Sequence, residues 1–291
     1  MLSFLGRFGR YFYPYALVIL GTKIGIFWFY GKVLYICGHQ VSEILKALNI
    51  NTSIMHRLHI ITPVKDSWDT TKLTIEAIMA SKTKGKFEYT VFNDYSNEEN
   101  TNRLASLANQ YNFKIVNLKD ITRHSPPNYH LTLQIAKTNA ILKNAHLLII
   151  ESDVIVKKDT IQQLIDYADS LEGAGMISAV TTDPTGTVNF PYLYAKKYES
   201  GVLSIRKRIS FCCTLLTNNL LKCIEGGTLH PQKNWFDIRI SRISLKKGFQ
   251  NYLIMSCPVV HLPHSSRPWK HLKHTNPLKY YWFKLTNPKY C

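Results

Sequence analysis

The chain has 291 residues, 45% of them hydrophobic, with 36 Lys and Arg against 19 Asp and Glu and a formal net charge of +17. That apolar content excludes a disordered chain and is enough for one large α/β domain or two smaller ones. The excess of base points to an anionic partner, whether nucleic acid, an acidic membrane surface or a phosphorylated ligand. The six cysteines, Cys37, Cys212, Cys213, Cys223, Cys257 and Cys291, form no C-x-x-C pair, which argues against a zinc ribbon. Cys212 and Cys213 sit inside an apolar run and read as small buried hydrophobes; the pattern fits a reducing compartment.

The first section opens with Arg7 and Arg10 and continues as an apolar, aromatic run from Tyr11 to Tyr35, broken by Lys23 and Lys32. No small-residue cleavage site stands out, so it is not read as a signal peptide. Three helical readings stay open. A transmembrane helix would bear a cost of about 3 kcal/mol for Lys23 near its centre. An interfacial helix would present Phe27, Trp28, Phe29 and Tyr30 to lipid. The third reading is a core helix. The expectation is a membrane-associating helical segment over residues 1–52, including a short amphipathic helix at 41–48 and a linker at 49–53.

From residue 57 the pattern alternates. Residues 58–64 read as a strand, 68–81 as a helix, 87–92 as a strand, 98–110 as a helix and 113–117 as a strand. A helix over 131–143, a strand over 146–156, a helix over 160–170 and a strand over 175–180 follow. Such alternation predicts a largely parallel sheet flanked by helices, whose ligands bind beyond the carboxyl ends of the strands. The stretch HLLIIESDVIV is the focal point: an apolar run ends in Glu151 and Asp153, and carboxylates at a buried strand end suit a divalent ion and the phosphate it neutralises. The second half is less regular. It offers a turn-rich loop at 181–189, an open choice between strand and irregular structure at 192–200, an apolar run at 209–216, helices at 218–224 and 234–247, and strand-like runs at 250–254 and 258–262.

Six segments in order resemble the family-2 glycosyltransferases, of GT-A fold, over about residues 57–267. They are HIITPVKD, VFNDYSNEENTNRL, QIAKTNAIL, LLIIESDVIV, NWFDIRISRISLKKG and VVHLPHSS. The resemblance implies a GT-A domain at 53–267, preceded by the apolar segment and followed by a basic-aromatic arm at 268–291. It also implies an inverting transferase moving sugar from a nucleotide-diphosphate donor, UDP-sugar favoured, to a glycan, lipid-linked or other hydroxyl acceptor. Asp153 and His261 would hold Mn2+ or Mg2+, with His264 a weaker alternative. Pro63, Val64, Asn93, Asp94, Lys137, Glu151 and Ser152 would bind the donor, Asp94 reading the base and Lys137 the diphosphate. Asp237 would be the general base. Asn93, Tyr95, Glu151 and Phe236 depart from the family pattern, so a degenerate protein that binds sugar nucleotide or glycan without transfer is the alternative. The expected partners are the donor, the acceptor and an anionic membrane surface facing the cytoplasm, with no nucleic acid, since no nucleic-acid motif accompanies the positive charge.

Overall fold

The computed structural model describes residues 19–20, 24–29, 32–37, 58–224, 235–262 and 276–286. The chain divides into two units, Met1–Ile54 and Met55–Cys291. The described part of the first unit is not helical. It is an antiparallel sheet of β1 (Ile19–Leu20), β2 (Ile24–Phe29) and β3 (Lys32–Cys37). This corrects the expected N-terminal helix. The runs IGIFWF and KVLYIC are β-branched and aromatic, and Gly31 stands between them, which is the signature of a hairpin rather than of a helix. The helix at 41–48 and the linker at 49–53 lie outside the described residues. No helix among the described residues is long and apolar enough to cross a membrane.

The second unit is a three-layer α/β domain. Its elements in order are β4 (Leu58–Val64), α1 (Trp68–Met79), β5 (Glu88–Asn93), α2 (Glu98–Tyr111), β6 (Lys114–Asn117), α3 (Tyr129–Leu142), β7 (His146–Ile150), β8 (Val154–Ile155), α4 (Thr160–Ser170) and β9 (Ala174–Thr182). Then come β10 (Val202–Ser204), β11 (Cys213–Leu216), α5 (Asn218–Cys223), α6 (Phe236–Lys246), β12 (Gln250–His261) and α7 (Pro277–Thr286). The segment left open at 192–200 contains a 3-10 turn, Leu193–Lys197. The sheet order is β10-β12-β9-β11-β7-β4-β5-β6, with β8 paired to the end of β12. Strands β6, β5, β4 and β7 are mutually parallel, as are β9 and β12, while β11 runs antiparallel to both β7 and β9.

Period-two alternation fills both faces. Leu148 and Ile150 of β7 join Ile75 and Ile78 of α1 and Ile161 and Leu164 of α4 in one core. Leu147 and Ile149 join Leu133 and Ala136 of α3, Leu221 of α5 and Ile240 of α6 in the other. Pro63 is tolerated near the end of β4 because pairing with β7 stops at Ile61, where no donor is needed further on. Gly175 lets α6 and the turn after it lie close to β9, since a Cβ there would meet Phe249 Cβ at 2.8 Å.

At the amino ends of the strands, His59 is buried with Nε2 3.0 Å from Thr90 Oγ1. Beside it in register stands Glu88, bonded by Lys114 and Lys143. Burial works against that carboxylate, but the two lysines outweigh it and hold Glu88 down to about 2. Burial lowers His59 from 6.5 to about 4. His59 is therefore neutral when folded and takes up a proton on unfolding below pH 6.5, so its stabilisation is complete above that pH and is lost as pH falls toward 4. Denaturant midpoints across this window should show a loss of about 3 kcal/mol that is absent in His59→Gln; identical pH slopes for the two chains would exclude His59 as the titrating group.

Candidate functional site

The carboxyl ends of the parallel strands share one edge, and the chemistry collects there. After β7 the chain turns through Glu151, Ser152 and Asp153 before β8. Asp153 is 2% exposed. The Glu151 N–H donates to the Cys212 carbonyl at 2.9 Å, so the antiparallel β7–β11 pairing continues one residue into the acidic turn. The same pairing brings the Cys212 thiol to 3.5 Å from Glu151 Oε2. From the other side β12 delivers His261 opposite Val154, with Nε2 3.6 Å from Asp153 Oδ2. The Leu262 N–H donates to the Asp153 carbonyl at 2.8 Å and fixes the crossing.

The electrostatics follow from this crowding. Burial, then the charge of Asp153, pushes the Glu151 carboxyl above the usual carboxylate range. Burial works against a charged imidazole at His261, but Asp153, the Phe190 carbonyl and Glu151 outweigh it and hold His261 above its ordinary value. Burial and the charge of Glu151 push the Cys212 thiol well up. The donor set fits a divalent cation. Ligand atoms of Glu151, Cys212 and His261 lie within 4.8 Å of one another. His261 Nδ1 lies 2.8 Å from the Phe190 carbonyl and donates to it, which leaves Nε2 as the ligating nitrogen.

The remaining sequence-predicted groups fall into four places, the ends of β5 and β4, α3 and the first turn of α6. Asp94 follows β5 on the same edge; its two oxygens accept from the Asn128 N–H and from Asn128 Nδ2, each at 2.7 Å. A carboxylate has further lone-pair capacity, so this clamp orients Asp94 without exhausting it. Asn93 points inward, donating to Thr101 and Asn117 and accepting from the Ser96 N–H, which bolts β5 to α2 and β6. Pro63 and Val64 end β4; Val64 is buried and its carbonyl accepts the Asp94 N–H at 2.7 Å. Tyr95 takes the left-handed conformation, φ 60, where the family pattern has Gly, and its hydroxyl donates to the Thr122 carbonyl. Lys137 lies on α3 and donates to the Ile224 carbonyl at 2.7 Å, with burial lowering its amine.

Asp237 sits in the first turn of α6. The Arg208 guanidinium donates to Oδ2 at 2.6 Å, and Oδ1 accepts the Ile238 N–H at 2.8 Å. Phe236 is buried, stacked on Tyr129 at 6.0 Å and on His130 at 5.8 Å, and Tyr129 stacks in turn on Phe211 at 6.3 Å. An aromatic residue in place of an acid at 236 is therefore accounted for by packing. Trp235 stands 72% exposed ahead of the helix. His264 lies outside the described residues. Sequence reasoning missed Asn128, Arg208 and the polar role of Cys212. Arg208 carries the one available signal, a basic triplet at 206–208 before an apolar run.

No protein-family model and no curated protein matches the sequence. Solved structures do. S. aureus TarS residues 1–349 superposes at TM-score 0.55 with 13% identity, over 77% of this chain and 65% of that one. GalNAc-T7, solved with UDP, GalNAc and Mn2+, gives TM-score 0.55 and 11% identity over 74% of this chain and 45% of that one. The Pyrobaculum calidifontis mannosyltransferase PcManGT, solved with GDP-Man and Mn2+, gives 0.53 and 12% over 79% and 64%. The chain thus spans less than two thirds of the length of each. The fold is that of the GT-A glycosyltransferases.

Replacing Asp94 by Ala should lower stability by about 1.5–3 kcal/mol, the range for hydrogen bonds to a charged group. A double-mutant cycle with Asn128→Ala should show a coupling of roughly 0.5–3 kcal/mol in denaturant midpoints; strict additivity would mean that the clamp is absent in solution.

Proposed function

We propose that the chain is a glycosyltransferase that moves a sugar from a nucleotide-diphosphate donor, UDP-sugar favoured, to a hydroxyl acceptor with inversion. The observation that carries this reading is a cluster of buried Asp153 with half-buried Glu151 and His261 at the carboxyl edge of a GT-A sheet. Asp153 and His261 would hold a divalent cation, Mn2+ or Mg2+, with Glu151 alongside. When bound, such an ion neutralises the charge that develops on the departing diphosphate. Asp94, oriented by Asn128, accepts a hydrogen bond from the base, and Pro63 lines the base pocket at the adjoining strand end. Asp237 takes the proton of the acceptor hydroxyl as its oxygen bonds to the anomeric carbon and the bond from that carbon to the diphosphate breaks. Arg208 fixes the Asp237 carboxylate for this task. Transferases of the same fold solved with sugar nucleotides, TarS with UDP-GlcNAc and PcManGT with GDP-Man, support transfer over binding alone.

Release of nucleoside diphosphate with Mn2+, over a panel of sugar nucleotides and acceptors, tests the reading. Asp237→Asn should slow turnover by about 10²–10⁴-fold, the usual contribution of general base catalysis. Asp153→Ala should abolish the dependence on Mn2+. Equal turnover in all three chains would overturn both assignments.

We also infer that the catalytic domain rests on an anionic bilayer surface on the cytoplasmic side. On α7, Leu278, Tyr281, Trp282 and Leu285 recur at helical spacing and are 86, 57, 70 and 78% exposed, while Tyr280 packs inward. An apolar stripe with Trp and Tyr on a chain of net charge +17 complements an acidic headgroup layer. Co-sedimentation should show binding to phosphatidylserine vesicles, weaker binding to phosphatidylcholine vesicles, and loss of both in Trp282→Glu/Leu285→Glu. Retained binding by the double variant would overturn the assignment.

A further inference from the structure

One donor in the acidic cluster has no part in the proposed transfer: the Cys212 thiol. It is buried, and the β7–β11 register sets it opposite Glu151. We propose that Glu151, Asp153, Cys212 and His261 form a four-donor site for a thiophilic divalent cation, zinc foremost, in which the Cys212 sulfur supplies the selectivity.

The distances suit this. Tetrahedral zinc, with bonds of about 2.3 Å to sulfur and about 2.0–2.1 Å to nitrogen or oxygen, separates its donors by roughly 3.3–3.8 Å. Two edges of such a tetrahedron are already present, Cys212 Sγ to Glu151 Oε2 at 3.5 Å and His261 Nε2 to Asp153 Oδ2 at 3.6 Å. The Glu151, Cys212 and His261 donors lie within 4.8 Å of one another and need to close by about 1 Å, and Asp153, which stands outside that trio against His261, has to follow the imidazole inward to complete it. The groups behind the donors are also in place. The Phe190 carbonyl fixes His261 through Nδ1, Asn189 Nδ2 donates to the His261 carbonyl at 3.0 Å, and the Ser210 hydroxyl lies 3.4 Å from Cys212 Sγ, placed to donate to a thiolate. Binding releases the thiol proton to solvent and forms the metal–sulfur bond.

Oxygen and nitrogen donors alone suit Mg2+ or Mn2+, whereas a thiolate is a soft ligand. Zinc outranks manganese at most sites, so the discriminating quantity is the part of that preference that disappears with the sulfur. The location of the site rests on the transferase reading of this edge; the sulfur donor does not.

The test uses the full chain stripped of metal and titrated with Co2+, a spectroscopic stand-in for zinc, and in parallel with Zn2+ and Mn2+ by calorimetry. Wild type should show a sulfur-to-cobalt charge-transfer band. Cys212→Ser should lose it and should weaken Zn2+ by at least the roughly 10–100-fold that loss of an outer-shell partner costs, with Mn2+ affinity unchanged. Should Cys212→Ser fail to fold, as judged by its far-ultraviolet spectrum, Cys212→Ala replaces it and the same loss is expected. A wild-type chain without the band, or a variant that keeps the band and its zinc affinity, would overturn the proposal. Nucleotide release with Mn2+ on the same preparations separates the two readings. Turnover without the band removes only the sulfur site, and the band without turnover removes only the transferase.

Discussion

Two carboxylates a residue apart, one of them almost fully withdrawn from water, set the problem that the rest of this domain answers. Like charges in a poorly solvated place repel, and each would recover free energy by taking up a proton unless positive charge stands close by. Burial first and the charge of Asp153 second push the Glu151 carboxyl up accordingly. The response is built into the topology. Strand β12 runs twelve residues, long enough to pair with β9 and then reach across to β8, and its last residue places an imidazole against Asp153. Arg208 supplies a second cation, but to Asp237. One imidazole facing two acids leaves negative charge in excess at the edge, which is the electrostatic condition for holding a divalent ion.

The opposite end of the sheet has the converse arrangement. Glu88 is overmatched by two lysines and His59 is kept neutral, so the amino edge holds no uncompensated acid. Ligand chemistry is left to the carboxyl edge, as the geometry of open α/β sheets favours.

Much of this was legible in the sequence wherever the pattern is local. The strand at 58–64 and the helix at 160–170 begin and end where apolar spacing places them, and ESD marks the focal turn. What the sequence withheld depends on residues far apart in the chain. Cys212 and Glu151 are 61 positions apart and meet only through a register that no local spacing encodes. The Asp94–Asn128 clamp spans 34 positions. The aromatic column through Phe211, Tyr129 and Phe236 joins three separate segments, so Phe236 looked like a lost acid when read alone. The N-terminal run failed for another reason: a continuous apolar stretch carries neither period clearly, and its length and hydropathy favoured a helix.

Strand β11 enters the sheet head first between two strands that run the other way. Val64, Asp94 and Glu151 therefore stand at separate strand ends, each held by its own neighbours in the parallel half. Arg208, Phe211 and Cys212, which meet Asp237, Tyr129 and Glu151, lie instead on one short continuous stretch, 208–212. Descent with modification can act on these two halves unequally. Drift within a few adjoining codons can alter the surroundings of Asp237, Tyr129 and Glu151 together while the parallel strand ends are left as they were.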